Sequence, residues 1–156
     1  MTQRFILDEN IVILAQKLEN DREERDTTSR RLLDNIIDIC HTIVLDPILW
    51  GQYQHQLSSL PRDQPMGPRS VMRIMYSALQ IDGKIAISSQ DASSFPEEGK
   101  IPAGSQDDVP IVRLAVESGA TLVTTDQALR EDLNSCGVQE KYNLDVLSPD
   151  EALMGL

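Results

Sequence analysis

The segment Gly119-Ala120-Thr121-Leu122-Val123-Thr124-Thr125-Asp126 decides the fold class of this chain. A helix-ending glycine leads into an apolar, β-branched run, and an aspartate follows where the next helix would begin. Such a run is typical of a buried strand in a parallel sheet. Arg4-Phe5-Ile6-Leu7-Asp8 and Thr42-Ile43-Val44-Leu45-Asp46 repeat the pattern, and residues 84–88 and 144–147 supply two further predicted strands.

Apolar residues at helical spacing fill the segments between the predicted strands. Strands that alternate with helices predict a parallel sheet covered on both faces. We therefore expect residues 1–156 to form a single α/β domain, with three α/β/α layers and a central, mainly parallel sheet of about five strands. The proline-rich residues 61–68 and residues 89–105 are predicted loops. Helices are predicted near residues 11–18, 28–39, 48–57, 71–79, 108–118 and 127–135, with a last one after the cap Ser148.

The composition is ordinary for a soluble globular protein, since 40% of the 156 residues are hydrophobic and 25% are charged. No apolar run approaches the roughly 20 residues that a membrane helix needs, and the N-terminus lacks a signal-peptide pattern. The sequence therefore predicts a cytoplasmic protein without a membrane partner. Cys40, Cys136, His41 and His55 form no ligand-spaced cluster in the sequence, which argues against a zinc site and for reduced thiols.

The net charge of −11 argues against nucleic-acid binding through a broad basic face. The acids are concentrated in residues 85–156, which carry four basic and thirteen acidic side chains. Folding can gather arginines from the preceding half into a rim that faces phosphate, since guanidinium groups bind phosphate oxygens in pairs. For Arg22 and Arg25 a solvated helix end or loop is the favoured interpretation. The arginines concerned are Arg22, Arg25, Arg30, Arg31, Arg62, Arg69 and Arg73.

Three aspartates stand where a strand or loop is followed by a helix: Asp8, Asp108 and Asp126. The first and third end predicted strands, and ligands of open parallel sheets bind beyond the carboxyl ends of the strands. Asp108 begins the helix that leads back into the sheet. Taken singly, such an aspartate is equally well explained as a helix cap. Taken together, converging carboxylates favour a cation site, and oxygen ligands suit Mg²⁺ or Mn²⁺.

The order of these motifs resembles the PIN-domain family of nucleases. That family begins with a strand, an aspartate and an asparagine two residues later, as in Ile6-Leu7-Asp8-Glu9-Asn10. Its second half has an aspartate, an apolar residue three positions later and a small residue seven positions later, which match Asp108, Ile111 and Ala115. A turn into a strand that ends Val-Thr-x-Asp follows, as in residues 119–126. Residues 144–151 are similar to the family's last strand and helix.

The resemblance implies hydrolysis of RNA phosphodiester bonds with Mg²⁺ or Mn²⁺, by a toxin of a toxin–antitoxin pair or by an RNA-processing enzyme. RNA is then the expected partner, and an antitoxin-like protein and a second copy of the chain are further candidates. Asp8, Asp108 and Asp126 would be the catalytic metal ligands, and Asn10 would orient Asp8 or a metal-bound water. The remaining supporting candidates are Gln52, Asp107 and Thr124.

One position departs from the family pattern. The family has a glutamate early in the helix after the second strand, and Gln52 stands there. An amide oxygen can still bind a cation, but it lacks the charge and cannot act as a base. Asp46 is the nearest acidic substitute, although its position before Pro47 favours a turn role. The departure supports an alternative function, a PIN-fold RNA- or protein-binding regulatory module with weak or no catalysis.

Two other enzyme classes find less support. The sequence has no GxGxxG, Walker or GxSxG motif, so an acyl or phosphate-binding enzyme has no support. A phosphoacceptor domain also places acids at strand ends, but the only adjacent acids at the first strand end are Asp8-Glu9. Lys141 is a poor match for the late lysine of that class.

Overall fold

The computed structural model describes residues 2–60 and 70–156. Within these ranges the chain is an α/β protein with one five-stranded, all-parallel sheet, which is consistent with the predicted three-layer domain. The predicted proline-rich loop and two arginines of the expected rim lie outside the described residues. The positions concerned are Pro61, Arg62, Pro65, Gly67, Pro68 and Arg69.

All five predicted strands are present in the sheet. Their order across it is β3-β2-β1-β4-β5, and every neighbouring pair is parallel. The last three strands are shorter than predicted. The bounds are Arg4–Leu7 (β1), Thr42–Leu45 (β2), Ile85–Ile87 (β3), Thr121–Val123 (β4) and Val146–Leu147 (β5).

Helices connect the strands in the predicted alternation, and each predicted helix within the described ranges is present. A four-residue helix at Val138–Lys141, which the sequence pattern did not predict, follows Gly137 at φ 84°. The helices are Glu9–Lys17 (α1), Thr28–Asp38 (α2), Pro47–Ser58 (α3), Val71–Leu79 (α4), Val109–Ser118 (α5), Gln127–Ser135 (α6), Val138–Lys141 (α7) and Pro149–Met154 (α8).

Two helix ends follow the sequence signals closely. Gly119 has φ 68° and ends α5 in the left-handed conformation, which a residue without a Cβ adopts without strain. At the start of α8, the Ser148 hydroxyl accepts from the Glu151 N–H at 3.2 Å, and the Glu151 carboxylate accepts from the Ser148 N–H at 3.2 Å. The predicted capping pair is therefore confirmed, and both ends position the chain around β4 and β5.

The strand order reverses between β1 and β4. The chain moves from β1 outward to β2 and β3, and then returns to form β4 and β5 on the other side of β1. Open parallel sheets bind ligands in the crevice beyond the carboxyl ends of the strands at such a reversal. The order also differs from the 2-1-3-4-5 order of phosphoacceptor domains, which removes the main structural reason for that interpretation.

The hydrophobic core lies on both faces of the central strands. Ile6, Leu7 and Leu122 are fully buried in the sheet, and helices cover them with equally buried side chains such as Ile11 and Leu129. Burial of this kind contributes about 1.5–3 kcal/mol for each large apolar side chain. The core therefore fixes the central strands, and with them the ends from which the aspartates project.

The connection between β3 and α5 is more ordered than the predicted loop. It contains two 3₁₀ helices, Pro96–Lys100 and Ala103–Asp108. The Glu98 carboxylate accepts from the Arg113 guanidinium through both oxygens, at 2.6 and 2.7 Å, and the Ser105 hydroxyl donates to Asp132 at 2.6 Å. The predicted loop of residues 89–105 therefore contains short 3₁₀ helices, and pairs between distant residues hold this segment in place.

The acids of that connection face partners within the chain. Glu97 accepts from the Lys141 ammonium and the Tyr142 hydroxyl, and these hydrogen bonds lower the pKa of Glu97 to about 2. Tyr142 in turn packs edge-on against Phe95, with ring centroids 5.5 Å apart. These contacts hold the segment against α7, and the Glu98–Arg113 pair holds it against α5. The segment ends at Asp108, directly before α5.

Candidate active site at the carboxyl edge of the sheet

Asp8 follows β1 and is almost completely buried, with 7% of its surface exposed. Its backbone N–H donates to the Val123 carbonyl at 2.9 Å, and its Oδ2 accepts from the Thr124 hydroxyl at 2.7 Å. Burial raises the pKa of Asp8, while the hydrogen bond from Thr124 lowers it and the nearby Asp126 carboxylate raises it. A buried carboxylate is thus held in place at the reversal of the strand order.

Asp126 occupies the corresponding position after β4. Its Oδ1 accepts from the Leu129 N–H at 3.0 Å, so the side chain caps α6 as the simpler interpretation proposed. The same residue donates its own N–H to the Thr124 hydroxyl oxygen at 3.0 Å. Thr124 is fully buried, and its hydroxyl group joins Asp8 to Asp126 through these two hydrogen bonds. Of the supporting residues predicted from the sequence, Thr124 thus hydrogen-bonds to two of the three aspartates.

Asp108 lies at the start of α5 and makes no capping bond to that helix. Its pKa is raised to about 6, first by burial and then by the negative charges of Asp8 and Asp126. Asp107, which is exposed, and Glu9 raise it further. Asp8 follows β1, Asp126 follows β4 and Asp108 precedes α5, and the charges of the first two act on the third. No group of three His, Cys, Asp or Glu side chains within residues 2–60 and 70–156 has the geometry to hold a metal ion.

Tyr53 on α3 was not found by the sequence reasoning. It is fully buried, and its hydroxyl donates to the carbonyl of Leu7, the residue before Asp8. Burial raises its pKa well above the usual value, and the charges of Asp8, Glu9 and Asp46 raise it further. Its spacing of four residues from Leu49 predicts a core position, so no local pattern distinguishes it from a packing residue.

Glu9 is a second residue that the sequence reasoning set aside. It is partly buried in the first turn of α1. Burial raises its pKa, the adjacent Asp8 raises it too, and His55 on α3 lowers it. Glu9 thus extends the negative region from the end of β1 toward α3, the helix that carries Gln52.

The other predicted positions have different surroundings. Asn10 is exposed on α1, where it lines a shallow cleft of about 280 Å³ together with Thr125. Gln52 is half-buried on α3, in the same turn as Tyr53. Asn10 and Gln52 belong to the helices that follow β1 and β2. Within the described residues, however, the structure gives neither of them a hydrogen bond to the three aspartates.

Asp46 caps a helix and is not free to replace the missing glutamate. It is buried, its Oδ1 accepts from the Leu49 N–H at 2.8 Å, and its Oδ2 accepts from the Ala92 N–H at 3.4 Å. The sequence interpretation of Asp46 as a turn residue before Pro47 is therefore close to the observed role, since the side chain caps α3.

The described arginines of the expected rim are spread over several surfaces, and one of them, Arg22, lines a cleft together with Thr124 and Thr125. Arg30 pairs with Asp34 on α2 at 3.1 Å and lines, with Arg73, a groove between α2 and α4. Arg22 is exposed in the connection between α1 and α2. Arg25 is exposed there too and forms an isolated backbone bridge with Glu19.

Comparisons with known proteins assign this chain to no family. No protein-family model matches the sequence, and no match is found among curated proteins. Within the described residues, no helix has the length and apolar character needed to cross a membrane.

Proposed function

We propose that this protein is a metal-dependent endoribonuclease that hydrolyses RNA phosphodiester bonds at the edge formed by Asp8, Asp108 and Asp126. The resemblance to PIN-domain nucleases supplies the substrate class. The observation that carries the proposal is the raised pKa of Asp108, about 6, which comes first from burial and then from the negative charges of Asp8 and Asp126. Uncompensated carboxylates that repel one another in the folded state are the arrangement that a divalent cation stabilises.

The donor types fit Mg²⁺ or Mn²⁺, although within the described residues no group of three such side chains is arranged to hold a metal ion. Repulsion between carboxylates opposes close approach, and a cation removes that repulsion. Asp108 is the residue best able to adjust, since its side chain has no capping bond and lies at the junction of a 3₁₀ helix and α5. The proposal therefore includes a movement of Asp108 toward Asp8 and Asp126 on metal binding.

The residues have separate roles in the proposed reaction. A bound Mg²⁺ or Mn²⁺ would supply a water of lowered pKa and would neutralise charge on the phosphate. Thr124 holds one Asp8 oxygen, and the capping bond of Asp126 uses Oδ1, which leaves Oδ2 for the cation. Asp108 above about pH 6 is ionised and can bind a cation or accept a proton from water.

A second candidate is a PIN-fold module that binds RNA or a protein and has little catalytic activity. Two observations favour it: an amide, Gln52, stands where the family has a glutamate, and the described residues contain no ready metal-binding group. In that case Asp126 would serve as a helix cap, and Asp8 and Asp108 would form a polar edge. An antitoxin-like protein partner and a homodimer are further proposals.

Cleavage of a fluorescent RNA pool by the purified protein tests the first candidate. We expect cleavage with Mg²⁺ or Mn²⁺, none with a chelator, and none in Asp108→Asn. The matched control is Asp82→Asn, an exposed residue of the same chemistry between α4 and β3, which should retain most of the activity. Calorimetry on the same samples should show Mn²⁺ binding that weakens in Asp108→Asn and persists in the control.

Two results would reject the nuclease proposal. One is wild-type protein that cleaves no RNA under any metal condition although it is folded by circular dichroism. The other is cleavage that persists equally in Asp108→Asn, because a contaminating ribonuclease would then be responsible. Binding of RNA or a protein partner that is indifferent to Asp108→Asn would support the regulatory module instead.

A further inference from the structure

A cleft of about 360 Å³ adjoins the candidate active site. Thr124 and Thr125 line it, and the Thr124 hydroxyl is the group that holds Asp8. The remaining wall comes from the connection between α1 and α2 and from the starts of α6 and α8. Pockets that bind small molecules begin at about 300 Å³, so the cleft has room for a ligand of the size of one nucleobase with its sugar.

The charges around the cleft disfavour an anionic ligand. Arg22 and Arg130 line it, but so do four acids, and a phosphate would be repelled by the excess negative charge. Arg130 also donates to Glu151 at 2.7 Å, which compensates much of its charge. The four acids are Glu19, Asp21, Asp26 and Asp150.

At the helix N-termini that border the cleft, side chains already accept from backbone N–H groups that could otherwise bind phosphate. Asp26 accepts from the Thr28 N–H at 2.7 Å at the start of α2. Asp126 accepts from the Leu129 N–H of α6, and the Ser148 hydroxyl accepts from the first turn of α8. Since side-chain caps already use these donors, the cleft lacks the feature with which helix N-termini bind anions.

The lining suits an uncharged ring that carries hydrogen-bond donors and acceptors. The Gln127 amide is exposed at the cleft, and its contacts to Glu131 and Arg130 are long, at 3.3 and 3.4 Å, so a ligand can replace them. The planar guanidinium of Arg130 can stack on a base, as arginines do in proteins that bind single-stranded RNA. Carboxylates in the wall can accept from exocyclic amino groups.

We propose that this cleft binds the base of the nucleotide next to the phosphate at the aspartate edge, and that it selects which base occupies that position. This inference rests on the proposed nuclease function for its role, but base binding itself requires neither a metal nor cleavage. Thr124 and Thr125 set the geometry, because the same two residues border both the carboxylate edge and the cleft.

Titration with adenosine, guanosine, cytidine and uridine, followed by the backbone amide signals in NMR, tests the inference in the absence of metal. We expect one nucleoside to shift the signals of Thr125, Gln127 and Ser148 saturably. Arg130→Ala and Gln127→Ala should each weaken that binding about tenfold, since each removes a side chain that contacts the base. The matched controls are Arg31→Ala on α2 and Gln80→Ala directly after α4, both at exposed positions, which should leave the affinity unchanged.

Three outcomes would overturn the inference: no nucleoside shifts these signals at millimolar concentration, the shifts lie elsewhere on the protein, or inorganic phosphate competes with the nucleoside. Competition by phosphate would identify an anion site instead of a base site. Because nucleosides contain no phosphodiester bond, these outcomes are independent of RNA cleavage. A protein that binds a nucleoside in the cleft but cleaves no RNA would retain the base site and lose the nuclease proposal.

Discussion

Replacement of Asp108 by asparagine should stabilise the metal-free protein at neutral pH. The pKa of Asp108 rises from 3.8 to about 6, first because of burial and then because of the charges of Asp8 and Asp126. Its ionised form is therefore less favourable in the folded state than in the unfolded chain. Asparagine has nearly the same size and no charge, so Asp108→Asn removes this penalty without leaving a cavity.

The magnitude follows from the pKa change. A shift of about two units corresponds to about 3 kcal/mol at full strength, since each unit is about 1.4 kcal/mol. Asp108 is only half-buried, and solvent screens much of that energy, so we expect Asp108→Asn to gain about 1 kcal/mol in unfolding free energy. For a chain of this length the gain equals about 2–4 °C in Tm.

The pH dependence of the gain has a definite sign. Because the folded pKa of Asp108 exceeds the unfolded one, the folded wild type binds more protons between about pH 4 and pH 6 and loses stability as the pH rises through that range. Below that range both forms of residue 108 are neutral. The advantage of Asp108→Asn should therefore be small near pH 4 and complete above about pH 7.

Urea unfolding with a chelator present, at several pH values across that range, measures the effect. The control is Asp82→Asn, an exposed aspartate between α4 and β3, which should change the unfolding free energy little at any pH. A gain in Asp108→Asn that is the same at low and neutral pH, or a loss at every pH, would refute the idea that these carboxylates share a repulsive site.

Three further substitutions test the supports of the edge. Gln52→Glu should tighten Mn²⁺ binding, because α3 would gain a charged oxygen ligand. Tyr53→Phe should lower the unfolding free energy by about 1–2 kcal/mol, since the buried Leu7 carbonyl loses its donor. Thr124→Val should cost about 2–3 kcal/mol, because Asp8 loses a donor and the Asp126 N–H loses an acceptor. Calorimetry measures the first effect, and urea unfolding measures the other two.

Each of these substitutions has a matched control within its own class of residue. Gln56→Glu places the same charge one helical turn farther along α3 and should leave Mn²⁺ affinity unchanged. Tyr76 is 49% exposed and its hydroxyl accepts from the Gln54 amide, so the cost of Tyr76→Phe should be small. Thr121→Val alters the start of β4 instead of its end. Equal effects in a substitution and its control would contradict the role assigned to the site residue.

The strands and two of the three aspartates could be predicted because local sequence determines them. The β-branched runs that end at Leu7, Leu45 and Val123 are buried as their composition indicates. An acid directly after a buried strand must lie at the carboxyl edge of a parallel sheet, so Asp8 and Asp126 followed from position alone. The strand order, which brings those two ends together, has no local signal and was supplied by the structure.

The parts that could not be predicted depend on contacts between distant residues. The 3₁₀ segment before α5 is held by Glu98 with Arg113 and by Glu97 with Lys141, pairs that no short window of sequence contains. Tyr53 has the spacing of an ordinary core residue, and only its partner, the Leu7 carbonyl, gives it a role at the edge. The 3₁₀ segment and the side-chain positions at the site thus required the tertiary structure, while the five strands and the helices that connect them could be predicted from local sequence.

The carboxylate edge links stability to function in a way that separates the two candidate roles. If the aspartates form only a polar edge, Asp108→Asn should gain the same stability without metal, but it should change neither the response to Mn²⁺ nor any activity. If they form a cation site, the neighbouring negative charges, which add to the effect of burial on the pKa of Asp108, also attract the metal. Asp108→Asn should then gain stability without metal, gain less from added Mn²⁺ than the wild type does, and lose cleavage. Opposite movement of stability and activity in one variant is therefore the result that distinguishes a metal site from a structural edge.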